Sequence, residues 1–230
     1  MPKFPEYAAA IAPIIDAAHI NLHAAARKAT IELADTSGIT PGLLIDLRFT
    51  LPLRPLTRSD LATIYRYGAP SGIQDHLDEG TLTDNDGELR LTRKGLEFVD
   101  ALYALHATAA ARIWTNDVPW LAETIGKLLD TADRVPGGAL ELMAPPYEPE
   151  WATPGLLLFN RLAALRYHRA DAHASAWQAE GLSAAEIVEL RDGPLHARIE
   201  ADTNRRAATP YRILSEYERQ TLHDGLLKLV

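Results

Sequence analysis

The stretch TRSDLATIYRYGAPSGIQDHLDEGTLTDNDGELRLTRKGLEFVDALYAL, residues 57–105, decides the fold of this chain. A capping pattern at its start precedes a short apolar helix, and a glycine turn is followed by Pro70, which suits the first position of a second helix. A short hairpin follows around the turn at residues 84–87, and Thr92 then caps a longer helix. The order helix, turn, helix, two-stranded wing, helix predicts a winged helix-turn-helix unit.

Helical periodicity continues on both sides of this unit. Apolar residues recur at helical spacing in residues 6–34, 118–133 and 154–180, whereas an irregular connector is expected at residues 135–151. A further apolar stretch, residues 43–53, ends against prolines. The sequence therefore predicts a mainly α protein in which long helices connect the winged-helix unit to the rest of the chain.

The second half repeats the order of signals found in the first unit. A capping box and a glycine-proline turn recur there, and residues 209–214 stand where the hairpin stood. Corresponding landmarks are separated by 126, 124 and 123 residues, in the pairs Thr57 and Ser183, Pro70 and Pro194, and Thr92 and Ser215. A duplication with small deletions leaves such spacing, although a series of capped helices can also produce it by chance. The fold class predicted is a tandem winged helix-turn-helix with a degenerate second copy, whose wing is short or absent, divided into residues 1–115 and 116–230.

The composition limits the cellular location of the protein and the kinds of chemical site that it can form. The 230 residues are 47% hydrophobic, contain no cysteine and carry a formal net charge of −8. Disulfides, thiolate metal sites and cysteine nucleophiles are therefore excluded. The chain starts without a secretory pattern and no apolar run reaches membrane-spanning length, so a cytoplasmic protein with no membrane partner is expected. The negative charge opposes long-range attraction to nucleic acid, although a local basic patch or a dimer groove could still bind it.

One segment of the second half resembles a known family. Residues 165–177, LRYHRADAHASAW, contain the pattern R-x-x-R-x-D-x-H, and the turn Gly181-Leu182 follows. Three further motifs fit the same pattern: residues 91–96, residues 200–204 and Pro210-Tyr211. On these motifs the chain is similar, from about residue 50 onward, to the SalK-like helix-turn-helix proteins of actinobacteria, whose relatives include MarR-type winged-helix regulators. The resemblance implies the winged-helix fold, and it leaves a catalytic or drug-binding role open because several members lie in biosynthetic gene clusters.

The predicted recognition helix, residues 70–79, is acidic. Asp75, Asp78 and Glu79 would repel phosphates, whereas DNA-reading helices usually carry Arg, Lys, Asn, Gln or Ser. Basic residues near the wing and in the second copy could still contact the DNA backbone. The candidate DNA-binding residues are Arg58, Ser71, Gln74, Arg90, Arg93, Arg198, Arg205 and Arg206.

Three potential metal ligands lie on one face of the first helix. Asp16, His19 and His23 follow the spacing i, i+3, i+7, and neutral imidazole suits zinc or iron. A weak metal site is one interpretation, and an amphipathic helix whose histidines pack against or cap neighbouring groups is the other. Since the sequence assigns no fourth ligand, no metal and no other cofactor is expected.

Charged residues also cluster within residues 154–180. At about 100° per residue, His168 and His173 lie about 140° apart on a helix, so they do not easily share one ion. Asp171 is predicted to be mostly buried and hydrogen-bonded to an arginine, because a buried carboxylate is seldom unpaired. Structural ion pairs are one interpretation, and the polar floor of a small-molecule pocket is the other. The candidate ligand-binding residues are Tyr147, Trp151, Arg166, His168, Asp171, His173 and Trp177.

Two functions follow from these observations. The fold favours a ligand-responsive transcriptional regulator that binds duplex DNA and a small molecule and could form a homodimer. The acidic recognition helix favours a small-molecule-binding protein or biosynthetic enzyme on the same scaffold that does not bind DNA. No serine-hydrolase, nucleotide-binding or zincin motif occurs, so no catalytic residue is assigned.

Overall fold

The computed structural model describes residues 3–115 and 117–230, and over these residues the chain is mainly α, with eleven α-helices and one small three-stranded antiparallel sheet. The α-helices are α1 (Phe4–Ser37), α2 (Gly42–Leu47), α3 (Arg58–Ile64), α4 (Ile73–Asp78), α5 (Arg93–Ile113), α6 (Val118–Thr131), α7 (Ala139–Met143), α8 (Pro154–Ala179), α9 (Ala184–Glu189), α10 (Pro194–Ala207) and α11 (Glu216–Leu227). The strands are β1 (Leu56–Thr57), β2 (Leu82–Asn85) and β3 (Glu88–Leu91), and a 3-10 helix (Pro210–Ile213) joins α10 to α11. Among the described helices, none combines the length and the apolarity needed to cross a membrane.

The hairpin predicted after α4 is confirmed, and the residues of its turn explain why it forms. Asp86 and Gly87 both have positive φ, 54° and 87°, which is the requirement of a two-residue type I′ turn. The sheet order is β1-β3-β2. Strand β1, which the sequence did not predict, pairs with β3 on the side opposite β2. Leu82 and Leu89 point into the core from β2 and β3.

The predicted helix starts are confirmed where a side chain caps them. Thr57 and Thr92 each accept a hydrogen bond from the third backbone N–H of the helix that follows, at 3.1 Å. Ser183 and Ser215 form full capping boxes at the corresponding places in the second half. Gly95 is required in α5 because an added Cβ would lie 2.2 Å from the carbonyl oxygen of Thr81.

Three local predictions are wrong. The helix expected from Pro70 begins only at Ile73, because Gly72 adopts φ 81° and breaks the helical path before it. Residues 135–151 are not irregular throughout, since α7 lies within them. Residues 210–213 form a 3-10 helix, whereas a hairpin or an extended arm was expected at residues 209–214.

Helix α8 lies at the centre of the molecule. It packs most extensively against α6 and α10, and it also contacts α1, α5 and α7. One buried apolar cluster contains Leu22 and Leu102 from the first half together with Leu162 and Leu222 from the second. Different helices therefore pack against the two faces of α8, and this packing positions the polar groups described next.

Candidate small-molecule groove

A groove opens between α1, α8, α10 and the 3-10 helix. Its cavity volume of about 330 Å³ lies at the lower end of the range of about 300–1,000 Å³ that is usual for ligand sites. Alanines and aliphatic side chains such as Ile15 and Leu165 form its apolar lining. Its charged lining residues and histidines are Asp16, Arg166, His168, Arg169, His173 and Glu200.

Arg166 connects Asp16, which lines the groove, to the buried ring of His19. Its Nε donates to Asp16 Oδ1 at 2.5 Å, and its Nη1 lies 3.0 Å from His19 Nδ1. A guanidinium can only donate, so Nδ1 of His19 accepts and the single proton of the neutral ring sits on Nε2. Burial lowers the pKa of His19 far below its ordinary value, which keeps the ring neutral.

Arg169 holds the opposite wall. Its Nη1 donates to Asn204 Oδ1 at 2.8 Å and its Nη2 donates to Glu200 Oε2 at 3.2 Å, so α8 is tied to α10. With Arg166 paired to Asp16, each guanidinium of the groove therefore has one carboxylate. The groove is charge-balanced, and its charges alone select neither anions nor cations.

His173 ends a chain of hydrogen bonds that enters the groove. Trp177 Nε1 donates to the hydroxyl of Tyr67 at 3.1 Å, and that hydroxyl lies 2.8 Å from His173 Nδ1. The other ring nitrogen of His173, Nε2, faces Glu200 Oε1 at 3.8 Å. Burial lowers the pKa of His173, and the Glu200 carboxylate opposes that shift.

Asp171 lies on the other side of α8, and its prediction is confirmed. The side chain is 2% exposed and forms an ion pair with Arg66. Its oxygens also accept from the backbone N–H groups of Ala139 and Leu140, at 2.9 and 2.8 Å, at the start of α7. Gly138 makes room for this carboxylate, because an added Cβ would lie 2.6 Å from Asp171 Oδ2.

The seven residues predicted to bind a ligand are divided among three places. Arg166, His168 and His173 line the groove. Asp171 and Trp177 line a separate cavity of about 360 Å³ beside residues 135–138. The aromatic residues expected to close the pocket lie apart from both cavities: Tyr147 donates its backbone N–H to the Phe49 carbonyl, and Trp151 is 49% exposed.

The weak metal candidates are engaged in other contacts. Asp16 and His19 both bind Arg166, and Nδ1 of His23 lies 3.4 Å from Nε2 of His106. Within residues 3–115 and 117–230, no group of three His, Asp or Glu side chains is arranged to hold a metal ion. The i, i+3, i+7 spacing thus brings the residues onto one face without forming a metal site.

Every arginine predicted to contact DNA forms an ion pair within the chain. The pairs and their nitrogen–oxygen distances are Arg58 with Asp84 (2.8 Å), Arg90 with Glu88 (2.6 Å), Arg93 with Glu97 (2.9 Å), Arg198 with Glu180 (2.9 Å), and Arg205 and Arg206 with Asp202 (2.5 and 3.0 Å). Of the two polar candidates in and before α4, Ser71 precedes the helix and Gln74 donates to Asp78. Each of these six arginines is therefore accompanied by a carboxylate.

Three residues of the site were not among the candidates predicted from the sequence. Tyr67 lies just beyond α3 and reaches a histidine that is 106 positions away in sequence. Glu200 and Asn204 are four residues apart on α10, a spacing that indicates a shared face but not the partner it meets; residues 200–204 had been noted only as a motif of the family that the chain resembles.

Compared with known proteins, the chain matches no family model, no curated protein and no solved structure.

Proposed function

We propose that this chain is a small-molecule-binding protein built on a tandem winged helix-turn-helix scaffold, and that its ligand occupies the groove between α1, α8 and α10. The ligand is an uncharged or zwitterionic molecule with an apolar part. The charge balance of the two arginine–carboxylate pairs supports the first property, and the alanine and aliphatic lining supports the second.

The single observation that carries this proposal is the pairing of the surface arginines. Binding to DNA draws its affinity from cations that neutralise phosphates and release counterions. In this chain all six candidate arginines already have carboxylate partners, so a phosphate approaching any of them also meets a negative charge. The groove, by contrast, gathers polar side chains from three helices around an open volume.

The order of elements supports the scaffold. In the first half α3, α4, the β2–β3 hairpin and α5 follow the winged-helix order, and in the second half α9, α10, the 3-10 helix and α11 follow it without a hairpin. The same order favours a second candidate function, the ligand-responsive regulator that binds duplex DNA. In that case the exposed ion pairs would open on DNA, which is feasible because such pairs contribute only about 0–1 kcal/mol each.

A groove-filling variant tests the main proposal. Ala12 lines the groove, so Ala12→Trp should block it, whereas Ala24→Trp places the same side chain on an exposed position of α1. In a thermal-shift screen of uncharged and zwitterionic small molecules, we expect compounds that raise the Tm of the wild type and of Ala24→Trp but not of Ala12→Trp. A screen without such compounds, or an equal response of Ala12→Trp, contradicts the proposal.

Fluorescence anisotropy with duplex DNA separates the two functions. We expect no binding at low salt to the DNA upstream of the gene or to a random duplex. Salt-dependent binding would instead establish the regulator. In that case replacing Arg90 and Arg93 together by Ala should lower the slope of log K against log salt by about two units.

A further inference from the structure

Among the described residues, one buried cation has no carboxylate bonded to it directly. Arg48, which follows α2, is 1% exposed. Its Nη1 donates to the carbonyl of Ile45, but Nε and Nη2 have no hydrogen-bond partner among the described residues. The neighbouring carboxylate of Asp46 lies on the exposed side of the chain, where it accepts from the Tyr65 hydroxyl.

Aromatic contacts account for only part of this arrangement. The guanidinium carbon of Arg48 lies 3.9 Å from the ring centroid of Phe49 and 4.9 Å from that of Phe159. Such contacts offset only part of the free-energy cost of burying an ion. Burial lowers the pKa of Arg48 only to about 10, because Tyr103 and Asp46 oppose the shift, so the guanidinium is charged at neutral pH.

A third unpartnered donor lies around the same ring. His19 stacks on Phe159 at a centroid distance of 4.9 Å, and its buried Nε2 has no hydrogen-bond partner within residues 3–115 and 117–230. Because Arg166 donates to Nδ1 of His19, this Nε2 carries the proton and can only donate. Three buried nitrogen donors near Phe159, Nε and Nη2 of Arg48 and Nε2 of His19, therefore have no acceptor in the described part of the chain.

We propose that Arg48 forms a buried anion site that binds a carboxylate group through its Nε and Nη2 edge, with His19 Nε2 as an additional donor. This edge presents two parallel N–H bonds, which match the two oxygens of a carboxylate. Since a single guanidinium without a bonded carboxylate supplies one positive charge, a monoanion fits better than a phosphate dianion. Neither Arg48 nor His19 is among the residues that line the charge-balanced groove.

Thermal unfolding with formate as the probe tests the site. A ligand that binds only the native state at about 100 times its Kd raises the folding equilibrium constant about 100-fold. We expect the Tm of the wild type to rise with formate concentration, and the Tm of Arg48→Met not to rise beyond the general effect of the salt. Arg134→Met is the matched control, because Arg134 also donates to a backbone carbonyl but lies exposed, and it should respond as the wild type does.

A second measurement does not depend on any variant folding. The side-chain Nε–H resonance of Arg48 in the wild type should shift in NMR spectra as formate is added, and acetate will show whether the site accepts a methyl group. Phosphate should have little effect. The proposal is overturned if the wild type and Arg48→Met respond equally to formate, or if the Arg48 resonance does not move.

Discussion

Two buried polar clusters of this molecule follow opposite rules. Around Asp171 each oxygen of a fully buried carboxylate has donors, supplied by Arg66 and by the start of α7. Around Arg48 the buried side chain is equally enclosed, yet two of its three nitrogens have no acceptor among the residues that the structure describes. A buried network in which every polar group has a hydrogen-bond partner holds segments of the chain together, whereas a buried polar group without one indicates a missing partner. This difference separates a structural role from a binding role more sharply than residue type does.

The satisfied cluster also links distant parts of the chain. Arg66 belongs to the segment after α3, α7 lies in the connector, and Asp171 is on α8. One carboxylate therefore connects both the segment after α3 and the start of α7 to α8. His19, His23 and His106 belong to the other cluster, where each ring contacts Phe159 in addition to forming hydrogen bonds.

The largest effect is expected at Asp171. Asp171→Ala should lower the free energy of unfolding by roughly 3–5 kcal/mol, because it strands Arg66 and leaves the first N–H groups of α7 without an acceptor. Chemical denaturation measures this directly. Asp171→Asn, which retains the shape, should cost less than Asp171→Ala, and an unchanged midpoint for Asp171→Ala would contradict the structural role.

A smaller effect per residue is expected from acid acting on the histidine cluster. Burial lowers the pKa of His23 to about 3 and that of His106 well below its ordinary value, and the positive charges of Arg48 and Arg166 act on His23 in the same direction. The unfolded chain then binds more protons than the folded one below about pH 6.5, so stability is fully present above that pH and decreases as the pH falls. Between pH 7 and pH 5 we expect a loss of about 2 kcal/mol for each such histidine.

The variant His23→Gln sharpens this test. It should remove about 2 kcal/mol of the pH-dependent loss, which is the share of one histidine. His223→Gln is the control, since His223 lies outside the cluster and contacts only a neighbouring exposed carboxylate. If His23→Gln leaves the pH dependence of unfolding unchanged, the cluster does not remain neutral in the folded chain.

Local signals explain how much of the fold could be predicted. The hairpin and the helix starts at Thr57, Thr92 and Ser183 depend on side chains that act within four residues, and the sequence shows them. The start of α4 was missed because a proline suits a first helical turn, whereas the backbone turn at Gly72 comes two residues later. The 3-10 helix at residues 210–213 replaced a strand that only the analogy with the first half suggested.

The binding sites could be predicted less well because they depend on long-range contacts. Burial and pairing of Asp171 followed from the cost of a buried charge, but its partner Arg66 is 105 positions away. Arg48 belongs to an apolar stretch in which a single arginine reads as an exposed interruption. Asp16 and His19 have the spacing of metal ligands, and only the tertiary structure shows that Arg166 occupies the position between them.

The smallest effect is expected at Asp16, which makes the matched comparison with Asp171. Both aspartates pair with an arginine, but the side chains of Asp16 and Arg166 are 48% and 39% exposed. Exposed pairs contribute about 0–1 kcal/mol, and an amide at this position could still accept from Arg166 Nε. Asp16→Asn should therefore change the free energy of unfolding by less than about 1 kcal/mol. When the same Asp-to-Asn change is measured by denaturation at both positions, the loss of unfolding free energy should be clearly larger at Asp171. Equal losses would contradict the distinction between the buried structural pair and the pair that lines the groove.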